Sequence, residues 1–142
     1  MDEARRVFVD QLSGTLHVIA ADVKIQVEFN PQRVRRYRQL GYEERQLTKQ
    51  QFRDDKVDAG EVGAGQSVTA LYDLELRGAA DQSIGTVRVR YRNTATGKVE
   101  EIEKCILATD LRRSFESADA RFKLAAAAAE FAEILRGSDY AR

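Results

Sequence analysis

Residues 23–29, Val-Lys-Ile-Gln-Val-Glu-Phe, alternate apolar and polar side chains without a break. An extended chain points successive side chains to opposite faces. Val23, Ile25, Val27 and Phe29 therefore share one face, and Lys24, Gln26 and Glu28 share the other. That pattern predicts a half-buried β-strand. Asn30-Pro31 ends it, because proline offers no N–H to a ladder and restricts the residue before it.

Upstream of that strand the apolar period differs. Phe8, Leu12, Leu16 and Ile19 fall at i, i+4, i+8 and i+11, the stripe of an amphipathic helix over residues 2–21. Asp2 and Glu3 suit the positive end of its dipole. Downstream, alternation returns. A second extended piece is predicted from Val34 to Tyr42, and another from Val68 to Leu76. Thr86–Arg92 and Val99–Leu107 read as a hairpin around Asn93-Thr94-Ala95-Thr96-Gly97. In its first strand Val87, Val89 and Tyr91 are expected to face in, and Arg88, Arg90 and Arg92 out, opposite Glu100, Glu101 and Glu103. Thr48 is placed to cap one helical turn before Phe52. The last element is a helix, with Ser117 as N-cap, Asp119 in its first turn and Gly137 as its stop. It carries Leu124, Ala128, Phe131 and Leu135 on one face. Together these predict an α+β fold: an antiparallel β-sandwich or sheet of about five or more strands between an N-terminal and a C-terminal helix. The division expected is a helix at 1–21 and a β-sandwich domain at 22–142.

A chain of 142 residues suffices for one domain with a core of its own. Lysine plus arginine equals aspartate plus glutamate, 23 each, so no net field favours nucleic acid or an anionic membrane. No apolar run is long enough to insert into a bilayer. With one histidine, His17, neither a histidine-based triad nor a histidine-rich metal centre can be built. His17 is expected on the surface of the first helix. Cys105, the single cysteine, is expected as a small buried strand residue. No catalytic residue and no cofactor are expected.

Two clusters invite a binding role. Asp54, Asp55, Asp58 and Glu61 lie within eight positions near flexible glycines, the type of oxygen donors that calcium takes. Their spacing departs from the alternate positions of an EF-hand, and Lys56 sits among them. A solvated loop is the plainer reading, and a cation-binding module the alternative. Arg35, Arg36, Tyr37 and Arg38 are read as a surface for a protein partner.

The strings DVKIQVEFNPQRVRRYRQLGYEER (22–45) and FRDDKVDAGEVGAGQSVTALYDLEL (52–76), with VRYR at 89–92 and ARFKLAAAAAEFAEILRGSDY at 120–140, carry a resemblance. They resemble the uncharacterised C-terminal domain that follows a von Willebrand factor type A domain in a family of bacterial proteins. DEARRVFVDQL (2–12) is similar to the closing helix of that preceding domain. The resemblance implies a non-enzymatic interaction or structural module, in a bacterial protein of the cell envelope, whose nearest partner is its own type A domain. The Asp-x-Ser-x-Ser metal loop of type A domains has no counterpart in this chain. Gln66 stands where such sequences often have histidine, so no histidine-dependent role carries over. Such sequences also tend to continue past the last helix, where this chain stops at Arg142. A first helix shaped to cover another domain's sheet predicts a contact surface at Phe8, Leu12, Leu16 and Ile19. It is covered by that domain where the domain is present; otherwise it folds back on its own sandwich or, the preferred expectation, meets the same stripe of a second copy in a homodimer.

Overall fold

The computed structural model describes residues 17–41, 47–78 and 83–141. They form strands β1 (Val18–Phe29) and β2 (Val34–Leu40), a short helix α1 (Lys49–Arg53), and strands β3 (Gly60–Gly63) and β4 (Leu71–Leu76). Strands β5 (Gly85–Asn93) and β6 (Val99–Ile106) follow. Two 3-10 turns then lead to helix α2 (Ala120–Leu135). The class is α+β, with a four-stranded sheet in the order β3-β1-β5-β6 and a two-stranded sheet of β2 and β4. The chain gathers into two compact units. One holds residues 17–28, 47–68 and 85–105, and the other 29–41, 69–78, 83–84 and 106–141.

In the first unit, β1 starts at Val18, so residues 18–21, expected as the end of a helix, are strand. The division expected between residues 21 and 22 falls inside β1. The cause is a pair of irregularities against antiparallel β3. The register runs Val18↔Gly63, Ala20↔Val62 and Val23↔Gly60, so β1 spends more residues than its partner twice over. Each bulge breaks the period of two that marks a strand. Asp22 sits at the second, with φ 54°, a left-handed conformation that aspartate tolerates better than most side chains. Phe8, Leu12 and Leu16 lie outside the described residues. Ile19, the fourth member of their stripe, is an exposed strand residue.

The faces of this sheet are used the opposite way from the simple expectation. Lys24 is buried at 3% exposure, whereas Ile25 beside it is 42% exposed. The segment at 49–55 accounts for this. Thr48 caps α1 in a full capping box with Gln51, which satisfies amide donors at both positions. Phe52, in the middle of α1, is 2% exposed and forms the core of this unit. The segment is tied to three strands on their polar side, through Lys24 to the Asp54 carbonyl, Arg90 to Asp55 and Arg53 to Glu101.

In the second unit, β2 and β4 pair antiparallel from Val34↔Leu76 to Leu40↔Leu71. Val68, expected in that strand, precedes it and is exposed. Val34 and Ile84 are buried, Ile84 completely. Ile84 is held between two chain segments: its carbonyl accepts from Asn30 N at 2.8 Å and its amide donates to Ile106 O at 2.8 Å. Phe29 packs on Tyr37 and edge-on to Tyr72. Helix α2 is capped by Asp119, whose carboxylate accepts from Phe122 N, so the N-cap is two residues later than the expected Ser117. Gly137, at φ 62°, follows its C-cap.

Candidate functional site

The polar face of the four-stranded sheet is a lattice of ion pairs. Strand alternation places Arg88, Arg90 and Arg92 side by side on β5. Arg88 bridges Glu28 of β1 and Glu103 of β6, the latter at 2.7 Å. Arg90 pairs with Asp55 at 2.8 Å and lies 3.7 Å from Glu101. Arg92 reaches back to Asp22 at 3.2 Å. Two of the three pairings expected across the hairpin are therefore present. The third is corrected: Glu100 alternates to the other face, where it accepts from Tyr91 Oη at 2.7 Å and Asn93 Nδ2 at 3.0 Å. These arginines were expected to face out, yet Arg88 and Arg90 are only about a fifth exposed.

This pairing explains the titration behaviour. Hydrogen bonds from Lys49 and then Arg88 hold the Glu28 carboxyl below the ordinary carboxylate range. Arg90 does the same to Asp55. Tyr91 is raised, first by its bond to Glu100, since a carboxylate acceptor favours the protonated phenol. These carboxylates and arginines hold one another across the sheet.

Among the described residues, the opposite face of the same unit carries an open groove. Val18, Val23, Val62, Val89, Tyr91 and Ile102 line a shallow, largely apolar groove of about 800 Å³. Ile102 and Ile25 are both exposed. His17 lies at the groove's edge, where its carbonyl accepts from Ala64 N at 2.9 Å. It precedes a strand and is not on a helix. Cys105 is in β6 as expected but exposed, not buried. Strand position alone did not distinguish the two, because no packing partner could be read from sequence.

The acidic residues do not converge. Asp55 is engaged by Arg90, and Asp54 Oδ1 accepts from Lys56 N at 2.9 Å. Asp58 and Glu61 are exposed beyond them. Among the described residues no group of three or more metal-ligating side chains is gathered.

The Arg35–Arg38 stretch lies on β2 and splits in two. Arg35 and Arg36 are exposed and share Glu75, at 2.8 and 3.9 Å. Tyr37 is exposed against Phe29. Arg38 is different. It pairs with the buried Glu133 of α2 at 2.8 Å, and its guanidinium lies 4.2 Å from the Tyr140 ring. Ser138 Oγ also donates to Glu133. Ser138 first, and Arg38 next, lower the Glu133 pKa. Arg38 is thus the clamp that holds the C-terminal helix. Its partners lie about a hundred positions away, and no local signal in the sequence announces them.

Comparison with known proteins comes to rest on an uncharacterised group. The family described as "Uncharacterized protein YfbK, C-terminal" matches residues 14–84 and 75–142. The "Uncharacterized protein YfbK" of Escherichia coli (strain K12) is 35% identical over 159 residues. That alignment covers 99% of this chain and 27% of the relative, so the chain spans about a quarter of the relative's length. No solved structure matches. Among the described residues no helix is long and apolar enough to cross a membrane.

Proposed function

The chain belongs to the family of the C-terminal domain of uncharacterized protein YfbK, and from that premise we propose that it is a non-enzymatic interaction module. It would accompany a von Willebrand factor type A domain in a longer bacterial protein of the cell envelope. The observation that carries this reading is the inverted sheet. Its charged face is closed by α1 and its own ion pairs, while its apolar face, among the described residues, carries an open groove. An open apolar face costs solvation free energy unless a neighbour covers it, and such surfaces mark interaction sites. The groove begins at His17 and Val18. The segment at residues 2–12, separated from His17 by four residues, is the one that resembles the closing helix of a type A domain. A domain ending there would be delivered to the edge of the groove.

Hydrogen exchange tests it, comparing this chain alone with a longer protein in which it follows a type A domain. The expected result is slower exchange at Val18–Val23 and around Ile102 in the longer protein, reversed by Ile102→Glu. Equal exchange in both would overturn the reading.

A further inference from the structure

Helix α2 has its two sides reversed relative to an ordinary amphipathic helix. The side toward its own unit carries Glu133, buried and paired with Arg38. The side turned to solvent carries Leu124, Phe131, Ile134 and Leu135, between 53% and 73% exposed, with Ala127 and Ala128 exposed among them. Burying a carboxylate while showing four large apolar side chains to water makes sense if the outer stripe has an occupant.

We propose that this occupant is a second copy of α2, packed antiparallel about a two-fold axis. The stripe itself argues for that partner. Leu124, Ala128, Phe131 and Leu135 are spaced by four, three and four, the seam of a paired helix. A two-fold interface sets each residue against another of the same surface. An axis between Ala129 and Glu130 sets Leu124 against Leu135 of the other copy, and Ala128 against Phe131. Every ring then meets a methyl group, and each large side chain is given a small one or an end position beside it. The flanking residues pair along each side of the seam: Ala125 meets Ala132 of the other copy, and Ala127 meets Ile134. Small flanks let two backbones approach closely. A parallel pair would instead stack Phe131 on Phe131 and Ala128 on Ala128, crowding one layer and leaving a void in the next.

The size of the patch is compatible with self-association. Its large side chains expose roughly 500 Å² per helix, and the alanines and polar flanks extend this toward the ~800 Å² per partner of a standard interface. A net charge of zero at pH 7 offers no long-range repulsion between copies.

The test uses the 142-residue chain in sedimentation over a dilution series. A reversible monomer–dimer equilibrium is expected. Ala128→Phe and Phe131→Ala, made singly, should each weaken the dimer about tenfold or more, one by crowding and one by a void. Made together they exchange the sizes across the axis and should restore affinity to within about threefold. Circular dichroism should show the same helix content in all variants, since both positions face solvent in the monomer. In a Cys105→Ser background, Ala125→Cys with Ala132→Cys in one chain should give a disulfide-linked dimer, and neither alone should. A chain that is monomeric at every concentration would overturn the proposal and leave the stripe to another domain. So would a dimer whose affinity the double exchange fails to restore, or one linked by Ala125→Cys alone.

Discussion

At Asp22 a single residue decides how β1 runs. Its left-handed backbone absorbs the second irregularity against β3, and its carboxylate meets Arg92. Aspartate combines the two needs, since it tolerates that conformation and supplies an acceptor. Asp22→Gly removes the backbone strain but also the pair with Arg92. A partly exposed pair is worth at most about 1 kcal/mol, so the two effects nearly cancel. Asp22→Val loses the pair and forces a β-branched side chain into the left-handed region, at a cost of about 1–2 kcal/mol or more. Urea unfolding should therefore place Asp22→Gly near the parent and Asp22→Val clearly below it. Equal midpoints for Gly and Val would show that the backbone of residue 22 is not strained. This residue also explains what the sequence concealed. An unbroken alternation at 23–29 is legible because successive side chains point to opposite faces without interruption. The stretch Val18-Ile19-Ala20-Ala21 is not, because bulges remove the alternation and leave an apolar run that fits a helical stripe.

Helix α1 shows how a small element can govern a sheet. Five residues are too few to hold a helix by propensity alone. Its stability comes from the Thr48–Gln51 box, from Phe52, and from the pairs that fasten it to β1, β5 and β6. The cap was readable in the sequence from Thr48. The consequence was not, because nothing local says that a capped turn will land on the polar face of a distant strand. For that reason Lys24, Arg88 and Arg90, read as solvent-facing from alternation, are covered, and Asp55 beside α1 pairs with Arg90 while the Asp54 carbonyl accepts from Lys24. Thr48→Ala should cost about 1 kcal/mol, as for other N-caps. Phe52→Ala removes the core of the unit and should cost roughly 3–5 kcal/mol. Both are measured by denaturant midpoint. Amide exchange at Lys24 and Arg90 should rise in Phe52→Ala ahead of exchange in β2 and β4. If β2 and β4 opened first, α1 would not be the fastening of the four-stranded sheet.

Across the whole molecule, charge is balanced in number and matched in place, and that makes stability depend on pH from both sides. Glu28, Asp55, Glu116, Asp119 and Glu133 all have lowered pKa values. The causes differ: basic partners for Glu28 and Asp55, backbone amides first for Glu116 and Asp119, and Ser138 with Arg38 for Glu133. A carboxyl that is more acidic when folded stabilises the fold at pH values above its unfolded pKa. That contribution is lost as pH falls through the folded value, because the folded state must then give up its bonds to take the proton. The window thus opens near the ordinary carboxylate range of about 4 and extends below it. Acid also removes negative charge from a chain with 23 basic side chains and a neutral balance, so self-repulsion grows over the same interval. Tyr91 and Tyr72 act in the opposite direction. Both are raised, Tyr91 by Glu100 and Tyr72 by burial, so their contribution is present at neutral pH and lost as pH rises beyond about 10. The urea midpoint should therefore form a plateau from about pH 5 to 9, with a steep fall on the acid side and a shallower one on the basic side. Glu28→Gln should lower the plateau and flatten the acid limb, because it deletes one of the titrating contributions together with its bonds to Lys49 and Arg88. Added salt should depress the plateau only weakly, since Arg88 and Arg90 are largely shielded from solvent and such pairs are poorly screened. A midpoint that stays level to pH 3, or an acid limb unchanged by Glu28→Gln, would show that these pairs ornament the surface and do not hold the sheet's charged face together.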